Sequence, residues 1–210
     1  MKKIILCVLV MSVCLVLAAQ SAKDEAIQSL DSAKKYLQSD NYSKAQDEIN
    51  YASGKISEIL SEMLVTYIPD APAGYTQDEK NAAGLGNMGA MFGSANSVAA
   101  TGKYSSTKED SDGNTPELTL TISVGGVMGG ASGLAALGQM FSGYGSGTAS
   151  KTIRVAGYSG TQEFSDGDGT LTVQVGQKIS IIVEGSALSS ADIMKNLVEK
   201  IDLAKLEKAF

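Results

Sequence analysis

Between residues 23 and 64, apolar residues recur every three or four positions, and this spacing predicts two amphipathic helices. The first apolar stripe consists of Ala26, Leu30, Ala33 and Leu37. The second consists of Tyr42, Ala45, Ile49, Ala52, Ile56, Ile59 and Met63. Only a short turn separates the stripes, with Asp40 as the expected N-cap of the second helix. We therefore predict an antiparallel hairpin that packs on the rest of the chain or on a partner.

The helical pattern stops after residue 68. Pro69 and Pro72 end the second predicted helix, because proline lacks a backbone N–H and disfavours helix in the residue before it. Residues 69–97 are rich in Pro, Gly and Ala and are predicted to form a connector. Its first part should be extended, and its later part is either a loose helix or a loop.

From Val98 onward the apolar period changes to two, which is typical of strands with one buried face. The alternation predicts about five strands. Their apolar positions lie in residues 98–104, 118–124, 153–155, 171–175 and 179–183. The stretches 110–114 and 166–169 are rich in Asp and Gly and predict hairpin turns, so the sheet should be mainly antiparallel.

A sheet with one apolar face must be covered by another layer. One expected cover is residues 128–141, and the other is a C-terminal helix capped by Ser189 or Ser190. The apolar stripe of that helix consists of Ile193, Leu197, Val198 and Ile201. The predicted fold class is therefore α+β, with an N-terminal helical hairpin followed by a mainly antiparallel sheet covered by helices.

The N-terminus has the three parts of a secretory signal peptide: Lys2 and Lys3, the apolar run Ile4–Ala19, and small residues before an expected cleavage after Ala22. The run has 16 residues, fewer than the roughly 20 that cross a bilayer. We expect cleavage and a periplasmic or secreted protein without a stable membrane span. An uncleaved N-terminal anchor is the alternative.

The predicted organisation of the chain follows from these patterns. It comprises a signal peptide over 1–22, a helical hairpin over 23–68, a connector over 69–97 and an α+β sandwich domain over 98–210.

Composition narrows the possible functions. The chain has no histidine, and both of its cysteines lie in the predicted signal peptide, so catalysis through imidazole or thiol groups is excluded for the exported form. The net charge of −6 argues against nucleic-acid binding, which requires clustered Lys and Arg. We predict no catalytic residue and no cofactor.

Two motifs resemble known ligand-binding signatures. Asp110, Asp112 and Asn114 alternate as calcium ligands would, but the glycine comes too early and Thr121 stands where an EF-hand loop has its last glutamate. Solvated hairpin turns are favoured, and weak calcium binding is the alternative. Residues 84–89 match the pattern Gly-x-Gly-x-x-Gly, but without a predicted strand before them they do not indicate a dinucleotide site.

An apolar surface is the remaining candidate for function. Its predicted members are Met128, Leu134, Leu137, Phe141 and Tyr144. The leading hypothesis is a non-enzymatic exported accessory protein that binds another envelope protein through this segment or through the hairpin stripe. The alternatives are a carrier of a small apolar or lipid-like ligand, held between the Met/Phe-rich cover and the sheet, and a hydrolase that uses carboxylates.

A series of segments from residue 68 onward carries a family resemblance. These segments read IPDAPAGY, VAATGKY, LTLTISV, IRVAGYSGTQEF, GTLTVQVGQKISIIVEG and IDLAKL. Over residues 68–208 the chain resembles uncharacterised bacterial exported proteins that share the PsbP-like α/β/α sandwich, the fold of a photosystem II extrinsic subunit. The chain departs from them at Tyr75, where Trp is commoner, and by a longer Gly-rich insertion. The resemblance implies an accessory role without an established enzyme activity, and no site residue carries over.

Overall fold

The computed structural model describes residues 21–84, 98–110, 112–125 and 150–210. It confirms the predicted α+β class, because two N-terminal helices are followed by a seven-stranded antiparallel sheet and two C-terminal helices. The chain divides into two compact units, Met1–Glu62 and Met63–Phe210. The predicted signal peptide lies almost entirely outside the described residues.

The first unit contains most of the predicted helical hairpin, in which α1 covers residues 21–38 and α2 spans Tyr42–Val65, with its last three residues in the second unit. The expected N-cap at Asp40 is wrong. Asp40 has a φ of +57° and ends α1, and the amide of Asn41 donates back to the carbonyl of Tyr36, as in a Schellman motif. Asn41 caps α2 instead, because its Oδ1 accepts a hydrogen bond from the amide of Lys44.

The sheet belongs to the second unit. Its strands are β1 (Tyr75–Gly84), β2 (Val98–Ser106), β3 (Glu117–Val124), β4 (Lys151–Val155), β5 (Tyr158–Ser165), β6 (Asp168–Val175) and β7 (Ile179–Ser186). They are ordered β1-β2-β3-β7-β6-β5-β4, and every neighbouring pair is antiparallel. Two-residue turns with positive φ at both positions join β4 to β5 and β5 to β6, as hairpins require.

Strand β1 lies within the stretch that was expected to be a connector. Its sequence, YTQDEKNAAG, has almost no large apolar residues, so its pattern gives no strand signal. It pairs along its whole length with β2 at the edge of the sheet, with one irregularity between Gln77 and Glu79. The strand also ends at Gly84, so the expectation that no strand precedes the glycine pattern is wrong. The neighbouring strand is antiparallel, however, which is not the parallel unit that a dinucleotide fingerprint needs.

The larger part of the core lies against one face of the sheet. Leu120, Val183 and Leu171 are in register on adjacent strands and fully buried. Burying an aliphatic side chain of this size contributes about 1.5–3 kcal/mol. The residues that cover this face from the C-terminal segment are Met194, Leu197, Val198, Ile201, Leu203 and Leu206. The other predicted cover, residues 128–141, lies outside the described residues.

The C-terminal segment forms two helices, where the sequence pattern predicted one. These are α3 (Asp192–Glu199) and α4 (Leu203–Ala209). The break has a local cause, since the side chain of Asp202 accepts a hydrogen bond from the amide of Lys205 and so caps α4. At the start of α3 the Ser190 hydroxyl accepts a hydrogen bond from the amide of Asp192, although the N-cap position itself is Ala191.

Candidate functional site

The interface between α1 and α2 is built from small residues. We call it the small-residue seam, and its buried members are Ala22, Ala26, Ser29, Ala33, Ala45 and Ala52. On α1 these residues are spaced four, three and four apart, which keeps them on one side of the helix. Small side chains allow two helix backbones to approach closely, so the hairpin closes without using its large apolar residues.

One side of the hairpin is polar and ties the two helices together. Tyr51 donates a hydrogen bond of 2.7 Å to Glu25, and the Lys55 ammonium lies 2.9 Å from the same carboxylate. In the seam itself, Ser29 donates a 2.8 Å hydrogen bond to Glu48. The hydrogen bonds from Tyr51 and then Lys55 hold the pKa of the Glu25 carboxyl below its ordinary value. The carboxyl is therefore ionised at neutral pH, which keeps these links intact.

The other side of the hairpin is apolar and open. We call it the apolar face; its members are Ile27, Leu30, Leu37, Tyr42, Ile49 and Ile56, which are between 40 and 64% exposed. Within the described part of the chain, every exposed large hydrophobic residue lies on α1 or α2. Of the two others, Tyr51 lies on the opposite side of α2, and Met63 continues the row of Tyr42, Ile49 and Ile56 at the start of the second unit.

Helix geometry explains why the apolar residues share one side. On α2, Ile49 and Ile56 each follow a seam alanine by four positions, whereas Tyr51 precedes one by a single position. At about 100° per residue, these offsets rotate the two groups to opposite sides of the seam. The same holds on α1, where Leu30 follows Ala26 by four positions and Glu25 precedes it by one.

The predicted hairpin stripe is thus divided by the structure. Its alanines face the neighbouring helix, as expected of core positions, but Leu30, Leu37, Ile49 and Ile56 do not. The other predicted surface, made of Met128, Leu134, Leu137, Phe141 and Tyr144, lies outside the described residues. Of the candidates, the structure therefore brings together only the large residues of the stripe.

A second surface, the acidic cleft, lies in the unit that contains the sheet. The connection between β2 and β3 meets the β5–β6 turn there, and the cleft has a volume of about 930 Å³. Its acidic lining residues are Glu109, Asp110, Asp112, Asp166 and Asp168. Both stretches that the sequence predicted as hairpin turns do connect antiparallel strands. Nothing in the sequence indicates that the two turns line the same cleft.

Two carboxylates of the cleft accept hydrogen bonds from nearby backbone amides. Asp110 accepts hydrogen bonds from the amides of Asp112 and Asn114, at 2.9 and 2.8 Å, and Asp168 accepts one from the amide of Ala187. The bond from the Asn114 amide is the main cause that lowers the pKa of the Asp110 carboxyl. Within the described ranges, no three acidic side chains are arranged to hold a metal ion. The calcium candidates therefore serve as turn-forming residues here, and calcium binding stays a prediction.

Comparison of the chain with protein-family models, with curated proteins and with solved structures finds no match. The resemblance to PsbP-like proteins therefore stays a prediction. In the part of the chain that the structure describes, no helix is both long enough and apolar enough to cross a bilayer.

Proposed function

We propose that this protein is a non-enzymatic exported accessory protein that binds another polypeptide through the apolar face of its helical hairpin. The observation that carries the proposal is the exposure of six large apolar side chains on one side of α1 and α2. Together they leave roughly 600 Å² of apolar surface open, which is at the upper end of what monomeric proteins show in one patch and is often functional.

The arrangement of the hairpin supports a binding role over a role in folding alone. The seam already closes the hairpin with small residues, and the polar side adds the Glu25–Tyr51 and Glu25–Lys55 links. The apolar face is therefore not required to hold the two helices together. Leaving Leu or Ile in water gains nothing for stability, whereas burying it against a partner contributes about 1.5–3 kcal/mol per side chain.

Site-specific photo-crosslinking tests the proposal. A photoreactive amino acid is placed at Leu37 in the apolar face or, as a control, at Lys35, which is exposed on the same helix turn but points away from the face. In intact cells, illumination is expected to produce a protease-sensitive adduct of higher mass for position 37 and not for position 35. No adduct at position 37, or equal adducts at both, would contradict the proposal.

Export is part of the same proposal and rests on the pattern of residues 1–22. N-terminal sequencing of the protein recovered from the cell envelope or the medium is expected to start at Lys23. A protein that is recovered from the cytoplasm with Met1 or Lys2 at its N-terminus would refute the export step. The PsbP-like resemblance is consistent with an accessory role and remains part of the proposal.

The alternative of an apolar-ligand carrier receives no support from the described cleft. Its lining includes four aspartates, a glutamate, a lysine and three serines, which suit a polar ligand better than a lipid. The residues that were expected to cover an apolar ligand, 128–141, lie outside the described residues, so this alternative stays a prediction.

A further inference from the structure

The apolar face has the spacing of a helix-packing surface. On α2, Tyr42, Ile49 and Ile56 are seven residues apart, and on α1 the same interval separates Leu30 from Leu37. A seven-residue apolar repeat is the spacing at which helices pack side by side as in a coiled coil. The face presents two such rows on antiparallel helices, and a second pair of antiparallel helices would match both rows.

A second copy of the same hairpin supplies such a pair. Two apolar faces in contact would bury about 1,200 Å² in total, the lower limit of the standard size for stable protein interfaces. A single partner helix in the groove between the two rows would touch both, as in a three-helix bundle, but it would cover each row less completely than a second hairpin does. The surface is thus large enough for a symmetric dimer, in which the same patch of each copy is used twice.

The charges around the face select one arrangement of the two copies. The row on α1 is flanked by Lys23, Asp31 and Lys34, and the row on α2 by the uncharged side chains of Gln46 and Asn50, all of them exposed. Stacking α1 on α1 would bring together two flanks that each have a net positive charge, and like charges repel. Stacking α1 on α2 places the lysines opposite amide groups, which can accept their hydrogen bonds.

We propose that a second copy of this chain covers the apolar face, so that two hairpins form a four-helix bundle with α1 of each copy over α2 of the other. This inference rests on the proposed function and names the polypeptide that is bound. The hydrogen bond from Ser29 to Glu48 places these two residues at about the same height in the antiparallel hairpin, so Leu30 and Ile49, one residue beyond each, are about 3 Å apart along the helix axis. Side chains on a helix tilt toward its N-terminus, which brings these two closer together. A twofold axis parallel to the helices preserves these heights, so Leu30 of one copy meets Ile49 of the other.

Light scattering on the purified exported protein tests the inference. The wild type is expected to have twice the mass of the chain. Leu30→Glu and Ile49→Lys each bury a charge against an apolar residue and should weaken the dimer by roughly 100-fold. In the double variant, Glu at position 30 meets Lys at position 49 of the other copy, so the dimer should return in part. Gln28→Glu, on the exposed polar side, is the control and should stay dimeric.

The outcomes separate this inference from the proposed function. A monomeric wild type would overturn the second copy as the partner, and a light-induced adduct of position 37 with a different polypeptide would then leave the proposed function standing. A dimer that survives both single changes, with helicity unchanged by circular dichroism, must form elsewhere and would overturn the inference. Failure of the double variant to restore any dimer would refute the pairing of Leu30 with Ile49.

Discussion

The hydroxyl of Tyr104 donates a hydrogen bond of 2.7 Å to the carbonyl of Pro69, and the Tyr104 side chain is only 1% exposed. Lys80 and Lys200 donate to other carbonyls of residues 68–71. A segment with two prolines leaves most of its carbonyls without partners in a helix or sheet, and buried carbonyls are costly unless they are bonded. Strand β2, edge strand β1 and the residue that follows α3 supply the missing donors.

Replacing Tyr104 with Phe tests this anchoring. The ring stays in place, but the hydrogen bond to Pro69 is lost, so we expect the free energy of unfolding to fall by about 1–2 kcal/mol in urea denaturation. Tyr36→Phe, a change on the hairpin that keeps the ring beside Lys44, is the control and should stay within about 0.5 kcal/mol of the wild type. Equal stability of Tyr104→Phe and the wild type would show that the anchoring bond contributes nothing.

We also expect the stability difference between the wild type and Tyr104→Phe to depend on pH. Burial raises the pKa of Tyr104 to about 12, above the value of about 10 for tyrosine in an unfolded chain. Its contribution to stability is therefore complete below pH 10 and is lost as the pH rises towards 12. The stability advantage of the wild type over Tyr104→Phe should shrink across that window. A constant difference from pH 9 to 12 would contradict the assigned cause.

The turn of the hairpin gives a second prediction. Asn41→Ala removes the cap of α2 and should cost about 1 kcal/mol. Asp40→Gly should be neutral or stabilising by up to about 1 kcal/mol, because glycine adopts a φ of +57° without strain. Thermal unfolding followed by circular dichroism compares the two variants. The reverse order of effects would restore Asp40 as the cap that the sequence suggested.

The turn between α1 and α2 shows a limit of prediction from sequence. Asp and Asn are both good caps, and they stand side by side, so composition cannot say which one ends α1 and which one starts α2. The structure decides by backbone conformation, which depends on the packing of both helices. Strand β1 was not predicted for another reason. An edge strand with polar side chains is stabilised by pairing with β2, and this pairing does not produce an alternating apolar pattern in the sequence of β1 itself.

The hairpin stripe illustrates the same limit for the candidate site. Helical periodicity correctly placed Ala33 and Leu37 on neighbouring parts of one helix surface. It could not tell which part meets the other helix, since both are apolar. The structure buries the alanine and exposes the leucine, because close helix packing selects the smaller side chain. The apolar face therefore became visible only once the seam was known.

Because the small-residue seam is closely packed, we expect a larger side chain to destabilise the hairpin at a seam position and not at a neighbouring exposed position. Ala52 is 1% exposed, so Ala52→Leu should overpack the hairpin and destabilise it by roughly 1–3 kcal/mol. Gly54→Ala adds a methyl group two residues away, where nothing lies within 4 Å, and should stabilise α2 by about 0.5–1 kcal/mol. Urea denaturation measures both. A neutral Ala52→Leu would mean that the two helices do not meet at Ala52.

The β2–β3 turn offers a test at acidic pH. The amides of Asn114 and Asp112 stabilise the ionised carboxylate of Asp110, so its pKa in the folded protein lies below the unfolded value of about 3.9. The turn is thus stabilised above that value and loses this stabilisation as the pH falls through the lowered pKa. In NMR titrations the Asn114 amide resonance should shift with a midpoint below 3.9.

Variants and added calcium make this last test specific. Asp110→Ala should abolish the acidic shift of the Asn114 amide, whereas Asp112→Ala, which removes a carboxylate but keeps the donating backbone amide, should preserve it. A midpoint at the unfolded value would contradict the hydrogen-bonded turn. Calcium would compete for the Asp110 carboxylate, so the same amide resonance also reports on ion binding. A saturable shift on adding calcium at neutral pH, weakened by Asp112→Ala, would establish the calcium site that the alternating oxygen ligands suggested. An unchanged resonance would show that Asp110 only stabilises the turn.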